Sequence, residues 1–192
     1  MSQSSVNLGP LSSEVETARD LGARLAREQP ELSSSLTVSW QEPTASAGKG
    51  MAMSGLEYMK AFAAGEIPPA PIAVLMNMRP VEVAEGRAVF SALPGEEHYN
   101  PIGVVHGGFM ATMLDSVAGC AVHTTLEAGV AYTTLTLEVK NLRPLTRDTG
   151  LVRAEGEVTY RGRRQATADA KLYAEETGKL LASATSTCMI LS

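Results

Sequence analysis

Two cysteines among 192 residues, at positions 120 and 188, are too few and too far apart to build a disulfide framework or a thiolate metal site. Both lie in apolar segments, so buried free thiols in a reducing compartment are expected. No apolar run approaches the roughly 18 residues of a membrane span. The N-terminus is polar and lacks an apolar h-region, so no signal peptide is expected and the expected location is the cytoplasm. Basic residues are also scarce. Lys and Arg number 16 against 21 Asp and Glu, for a net charge of −5, and no long basic run occurs. That excludes a nucleic-acid surface and leaves room for a local anion pocket. The Gly48-Lys49-Gly50 string lacks the spaced glycine and the following hydroxyl residue of a phosphate loop.

What remains is a chain with 44% hydrophobic residues, enough for one globular domain with an extension. Residues 1–53 read as the extension. Ser12 or Ser13 caps a helix carrying Val15, Ala18, Leu21 and Leu25 that runs to about Glu28, ahead of Pro30. Leu36–Gln41 forms a short extended piece with the only tryptophan, Trp40, and Pro43–Gly50 has the composition of a flexible linker. Residues 54–192 form the domain. Ser54–Ala64 is a short amphipathic helix stopped at Gly65. A stiff Pro68–Pro71 connector then leads to strands over Ile72–Val83 and Gly86–Leu93.

The chain is organised around Asn100–Val122. Asn100-Pro101 and Gly103 mark a loop, since Pro101 disfavours helix at the residue before it. From Phe109 the apolar residues Met110, Met113, Leu114, Val117 and Val122 fall at helical spacing. Ala111, Asp115, Ala118 and Val122 form a second row of small residues that carries one carboxylate. Four strands follow, over Val130–Asn141, Leu151–Tyr160, Arg164–Ala174 and Leu180–Leu191, the last three joined by short turns. One long helix and several long antiparallel strands make an α+β fold, with the helix on one face of a curved sheet.

His106-Gly107-Gly108 stands where the long helix starts. Its first-turn N–H groups are unpaired and favour negative charge, and glycine admits a ligand to the backbone, so the N–H groups near Gly107 suit an oxyanion. Asp115 suits a general base or a nucleophile. A tight glycine turn and a paired core carboxylate account for the same residues. Gly107 and Asp115 are eight residues apart, or about 12 Å along one helix, so a single carbonyl does not reach both. If both act on one substrate, a second copy of the helix supplies one of them, as in a two-fold dimer.

From about Leu56 to Ile190 the chain resembles the PaaI-like acyl-CoA thioesterases of the hotdog-fold superfamily. The residues that carry the likeness are Asn100-Pro101, Gly103, His106-Gly107-Gly108 and Leu114-Asp115-Ser116. Tyr132-Thr133-Thr134-Leu135 and Asn141-Leu142-Arg143-Pro144 support it. The resemblance implies an antiparallel sheet wrapped around the central helix, and a homodimer that in this family often doubles to a homotetramer. It implies hydrolysis of an acyl-CoA to free acid and CoA. The Gly107 N–H polarises the carbonyl and Asn100 assists. His106 holds the loop or the thioester, Gly108 lines the substrate, and Asp115 of the other subunit activates water or attacks. Thr133 matches a hydroxyl position that places the water. No metal or other cofactor is required, and no nucleic acid or membrane partner is implied. Arg143, Arg161 and Arg163 are candidates for the CoA phosphates. A hydratase or dehydratase on the same fold, or a non-catalytic acyl-CoA binding protein, are the competing readings.

Overall fold

The computed structural model describes residues 34–191. The helix expected between Ser12 and Glu28 lies outside the described residues. Chain packing defines two compact units, Met1–Thr37 and Val38–Ser192, and the second holds every element below.

The elements are α1 (Pro43–Ala52), α2 (Gly55–Ala63), α3 (Pro71–Leu75), β1 (Met78–Ala84), β2 (Arg87–Ala92), α4 (Gly107–His123), β3 (Ala131–Asn141), β4 (Val152–Arg161), β5 (Gln165–Ala174) and β6 (Leu180–Leu191). Two departures from the sequence reading lie before the central helix. Pro43–Ala52 is helical, not a linker: Pro43 occupies the first turn and the Glu42 carboxylate accepts from the Thr44 N–H at 3.3 Å. Ile72–Val83 is not one strand. Pro71 starts the five-residue α3, and the left-handed Asn77, with φ +46°, redirects the chain into β1. Leu36–Gln41 forms no strand. The start of α2 is as expected: Ser54 and Glu57 form a reciprocal capping box.

The six strands make one antiparallel sheet in the order β1-β2-β4-β5-β6-β3. The seventeen-residue α4 lies across one face, its Met113, Leu114, Val117 and Val122 fully buried. The face beneath it is built from small residues: Ala154 and Gly156 on β4, Ala168 and Ala170 on β5, Ala182 on β6. With few side chains to hold it off, the helix backbone settles close to the sheet. A Cβ on Gly156 would stand 2.5 Å from the Val117 carbonyl oxygen. Among the described residues, no helix is long and apolar enough to cross a membrane.

The C-terminal end of α4 is held from α2. The Gly55 N–H donates to the Leu126 carbonyl at 2.9 Å, and the His123 ring lies between Tyr58 and Tyr132, at centroid distances of 5.4 and 5.5 Å. Burial holds the His123 imidazole below its ordinary value. The unfolded chain therefore takes up a proton near pH ~6.5 that the folded chain refuses. This contribution to stability is full above that pH and is lost as the pH falls through it toward the depressed folded value. The thermal midpoint is expected to drop between about pH 7 and pH 5, and to drop less in His123→Phe. Equal pH slopes for the two proteins in scanning calorimetry would contradict it.

Candidate active site

The loop before α4 is tied down by its own side chains. Asn100 makes an Asx-type turn: its Oδ1 accepts from the Ile102 and Val104 N–H groups at 3.1 and 3.3 Å. Gly103, at φ +83°, closes that turn. The His98 ring packs against Phe109 at 4.7 Å, and its Nδ1 accepts from the Gly95 N–H at 3.0 Å. With Nδ1 accepting, the neutral ring carries its proton on Nε2, which donates to the Leu75 carbonyl at 3.2 Å. The His98 carbonyl in turn accepts the His106 N–H at 2.8 Å. His98 thus fixes the loop to the start of the helix, although nothing in its sequence surroundings marks it out.

His106 is the N-cap of α4, and its Nδ1 accepts from the Gly108 N–H at 2.8 Å. This leaves Nε2–H on the exposed side of the ring. The Gly108 N–H is therefore spent within the cap. Among the described residues, the Gly107 N–H donates to no acceptor, and it stands at the positive end of the helix dipole. A cleft of about 340 Å³ opens here, bordered by Asn100, Val105, Gly107, Met110, Asn141 and Arg143. The Asn141 carboxamide nitrogen would lie 2.8 Å from a Cβ on Gly107, so the cleft has no room for a side chain at that position. Asn141 enters the cleft from the end of β3.

Asp115 does not border that cleft. It sits two turns further along α4, half-buried, and its Oδ1 accepts from the Thr134 hydroxyl at 3.0 Å. Within the chain the hydroxyl that reaches Asp115 is that of Thr134 and not of Thr133, the residue the resemblance picks out. Thr133 is exposed on the other face of β3, opposite Met189, whereas Thr134 faces the helix. The cause is a bulge between Thr134 and Thr136. The extra residue reverses the alternation, so Tyr132 and Thr134 point inward before it, and Leu137 and Val139 after it. The inward Leu137 and Val139 suggest the opposite parity to anyone counting in twos.

The arginines divide. Arg143 borders the cleft and donates to the Leu180 carbonyl at 2.5 Å. Arg161 donates to the Thr125 hydroxyl at 3.2 Å, beyond the C-terminal end of α4 and about 27 Å along the helix axis from Gly107. Arg163 shares the β4–β5 turn with it and is exposed. Neither reaches the cleft of its own chain.

Both cysteines are free. The Cys120 thiol is pushed up to about 12, mainly by burial and further by the Asp115 charge, while a hydrogen bond to Tyr132 acts the other way. Burial also raises Cys188. Neither presents a thiolate near neutral pH, so neither serves as a nucleophile.

The sequence profile of the thioesterase superfamily matches residues 102–181, which span α4, β3, β4 and β5. Human acyl-coenzyme A thioesterase 13 is 29% identical over 109 residues, 57% of this chain and 76% of that protein. A crystal structure from Ralstonia eutropha JMP134, described as a putative thioesterase and phenylacetic acid degradation-related protein, is 33% identical. The match covers 69% of this chain and 98% of that one, with a TM-score of 0.62. A mutant of the phenylacetic acid degradation protein PaaI of Thermus thermophilus is 28% identical over 62% of this chain and 98% of its own, with a TM-score of 0.57.

Proposed function

We propose that this chain, which belongs to the hotdog-fold thioesterase superfamily and is a thioester hydrolase, cleaves an acyl-coenzyme A at a site shared between two copies of itself. The observation that carries the reading is the separation of two complementary halves on one rigid helix. A free N–H opens on a cleft at Gly107, and a hydroxyl-anchored carboxylate stands about 12 Å away at Asp115. A two-fold pairing of antiparallel helices brings Gly107 of one copy opposite Asp115 of the other, twice.

The free edge of β3 supports such a pairing. Both β1 and β3 end the sheet, but β1 contains Pro80, which has no N–H to offer a neighbour. The eleven residues of β3 contain no proline. Two copies joined along β3 share one continuous sheet. With Gly107 level with Asp115, the end of one helix at Thr125 falls about 15 Å beyond the start of the other. Arg161 and Arg163 then serve the CoA phosphates from the opposite subunit, and Arg143 from the same one.

In this site the Gly107 N–H, aided by the Asn100 amide and His106 Nε2–H, holds the thioester oxygen as it gains charge. Asp115 is the general base or the nucleophile. Thr134 occupies one carboxylate oxygen and leaves the other for water or for the carbonyl carbon. The thiolate leaves readily, so an oxyanion site and one carboxylate suffice. Thiol release from a panel of acyl-CoAs tests the reading. Release from at least one member is expected. No release across aliphatic and aromatic members would favour a hydratase or a binding protein on this fold.

A further inference from the structure

Beyond Asp115, α4 and β3 run side by side in matched steps. Thr134 meets Asp115; one inward step back along β3 is Tyr132, and one turn on along α4 is Gly119. The hydroxyl edge of the Tyr132 ring abuts the glycine, its Cε2 and Oη 3.0 and 3.1 Å from where a Cβ would be. The glycine is the notch that seats the ring. Beside it lies a second, solvent-open pocket of about 340 Å³, lined by Met51, Tyr58, Met59, Phe62, Cys120 and Tyr132 itself. Its walls are mostly apolar, with two methionines that adapt to flexible chains. Asp115 and this cavity are thus separated by one aromatic side chain.

We infer that Tyr132 sets the acyl-length limit of the enzyme by closing off this cavity. The inference rests on the reading that Asp115 acts at the thioester carbon. The acyl group leaves that carbon on the side away from the CoA sulfur and meets the Tyr132 ring within a few methylenes. Short acyl groups end there. A longer aliphatic chain finds its way blocked, although an apolar pocket lies directly beside the ring.

Removing the ring joins the pocket to the site, and each further methylene buried there contributes about fourfold to kcat/KM. The test compares butyryl-CoA with decanoyl-CoA in wild type, Tyr132→Ala, Tyr132→Leu and Tyr132→Phe, each checked for a cooperative thermal transition. The decanoyl-to-butyryl ratio of kcat/KM is expected to rise at least about tenfold in Ala and Leu. In Phe, which keeps the ring, it stays near wild type. The Leu variant carries the test if Ala does not fold. An unchanged ratio in the folded variants overturns the inference and leaves the Asp115 reading standing. Asp115→Asn, assayed on both substrates, tests that reading separately: persistent turnover there overturns both.

Discussion

Replacing Asp115 by asparagine is expected to lower kcat for thioester hydrolysis by about 10²- to 10⁴-fold, the usual worth of a positioned base. Asparagine keeps the volume and keeps Oδ1, so the Thr134 hydroxyl retains its acceptor at 3.0 Å and the fold is undisturbed. What is lost is the negative charge and the free oxygen that takes a proton or attacks carbon. KM for the acyl-CoA and the thermal midpoint are therefore expected to change little. Steady-state kinetics beside a melting curve checks both halves. A kcat within a few-fold of wild type would remove Asp115 from the chemistry. A collapse of the melting curve would make it a structural carboxylate instead.

The second large effect falls on the fold. Gly156 faces the middle of α4, and its virtual Cβ stands 2.5 Å from the Val117 oxygen, 2.7 Å from the Val117 carbonyl carbon and 3.0 Å from the Ala118 nitrogen. All three are backbone atoms of the helix, so none gives way as a side chain would. Gly156→Ala is expected to cost about 3 kcal/mol, the upper end for overpacking, and Gly156→Val more. Set against the roughly 5–15 kcal/mol that a domain possesses, the valine variant is expected to be largely unfolded. Gly178→Ala is the matched control: its φ of +64° is unfavourable, but nothing lies within 4 Å. It is expected to cost only the left-handed backbone penalty, about 1–2 kcal/mol. Urea midpoints of the three proteins decide. Equal losses at the two alanine variants would mean that the helix is not seated on Gly156.

Most of the framework was legible because its signals are local. The apolar spacing from Phe109 to Val122 demanded a helix, and the turns at Gly86, Gly129 and Gly178, all at positive φ, punctuated the strands. The departures have more than one cause. Whether Thr133 or Thr134 faces the helix depends on a single bulge against β6, which is a pairing of distant residues. Ile72–Val83 is rich in strand-forming residues, but Pro71 preset a helical turn and Asn77 broke the run. Asn141 was visible only as part of a motif. Its place beside Gly107 comes from the end of β3 meeting the start of α4. His98 gave no sign and Tyr132 only its place in a motif, because their roles are contacts across the fold, with Phe109 in one case and Gly119 in the other.

Subunit complementation tests the shared site most directly. Asp115→Asn and Gly107→Val, the latter closing the cleft against Asn141, are each expected to be nearly inactive alone. In a mixed dimer one site has both groups damaged, and the other pairs an intact Gly107 with an intact Asp115. After the two variants are unfolded together and refolded at equal amounts, half the dimers are mixed and each has one sound site. Activity is then expected to return to about a quarter of wild type. If the mixture stays as inactive as its parts while native mass spectrometry of differently tagged variants shows that mixed dimers have formed, Gly107 and Asp115 do not act on one thioester across the interface.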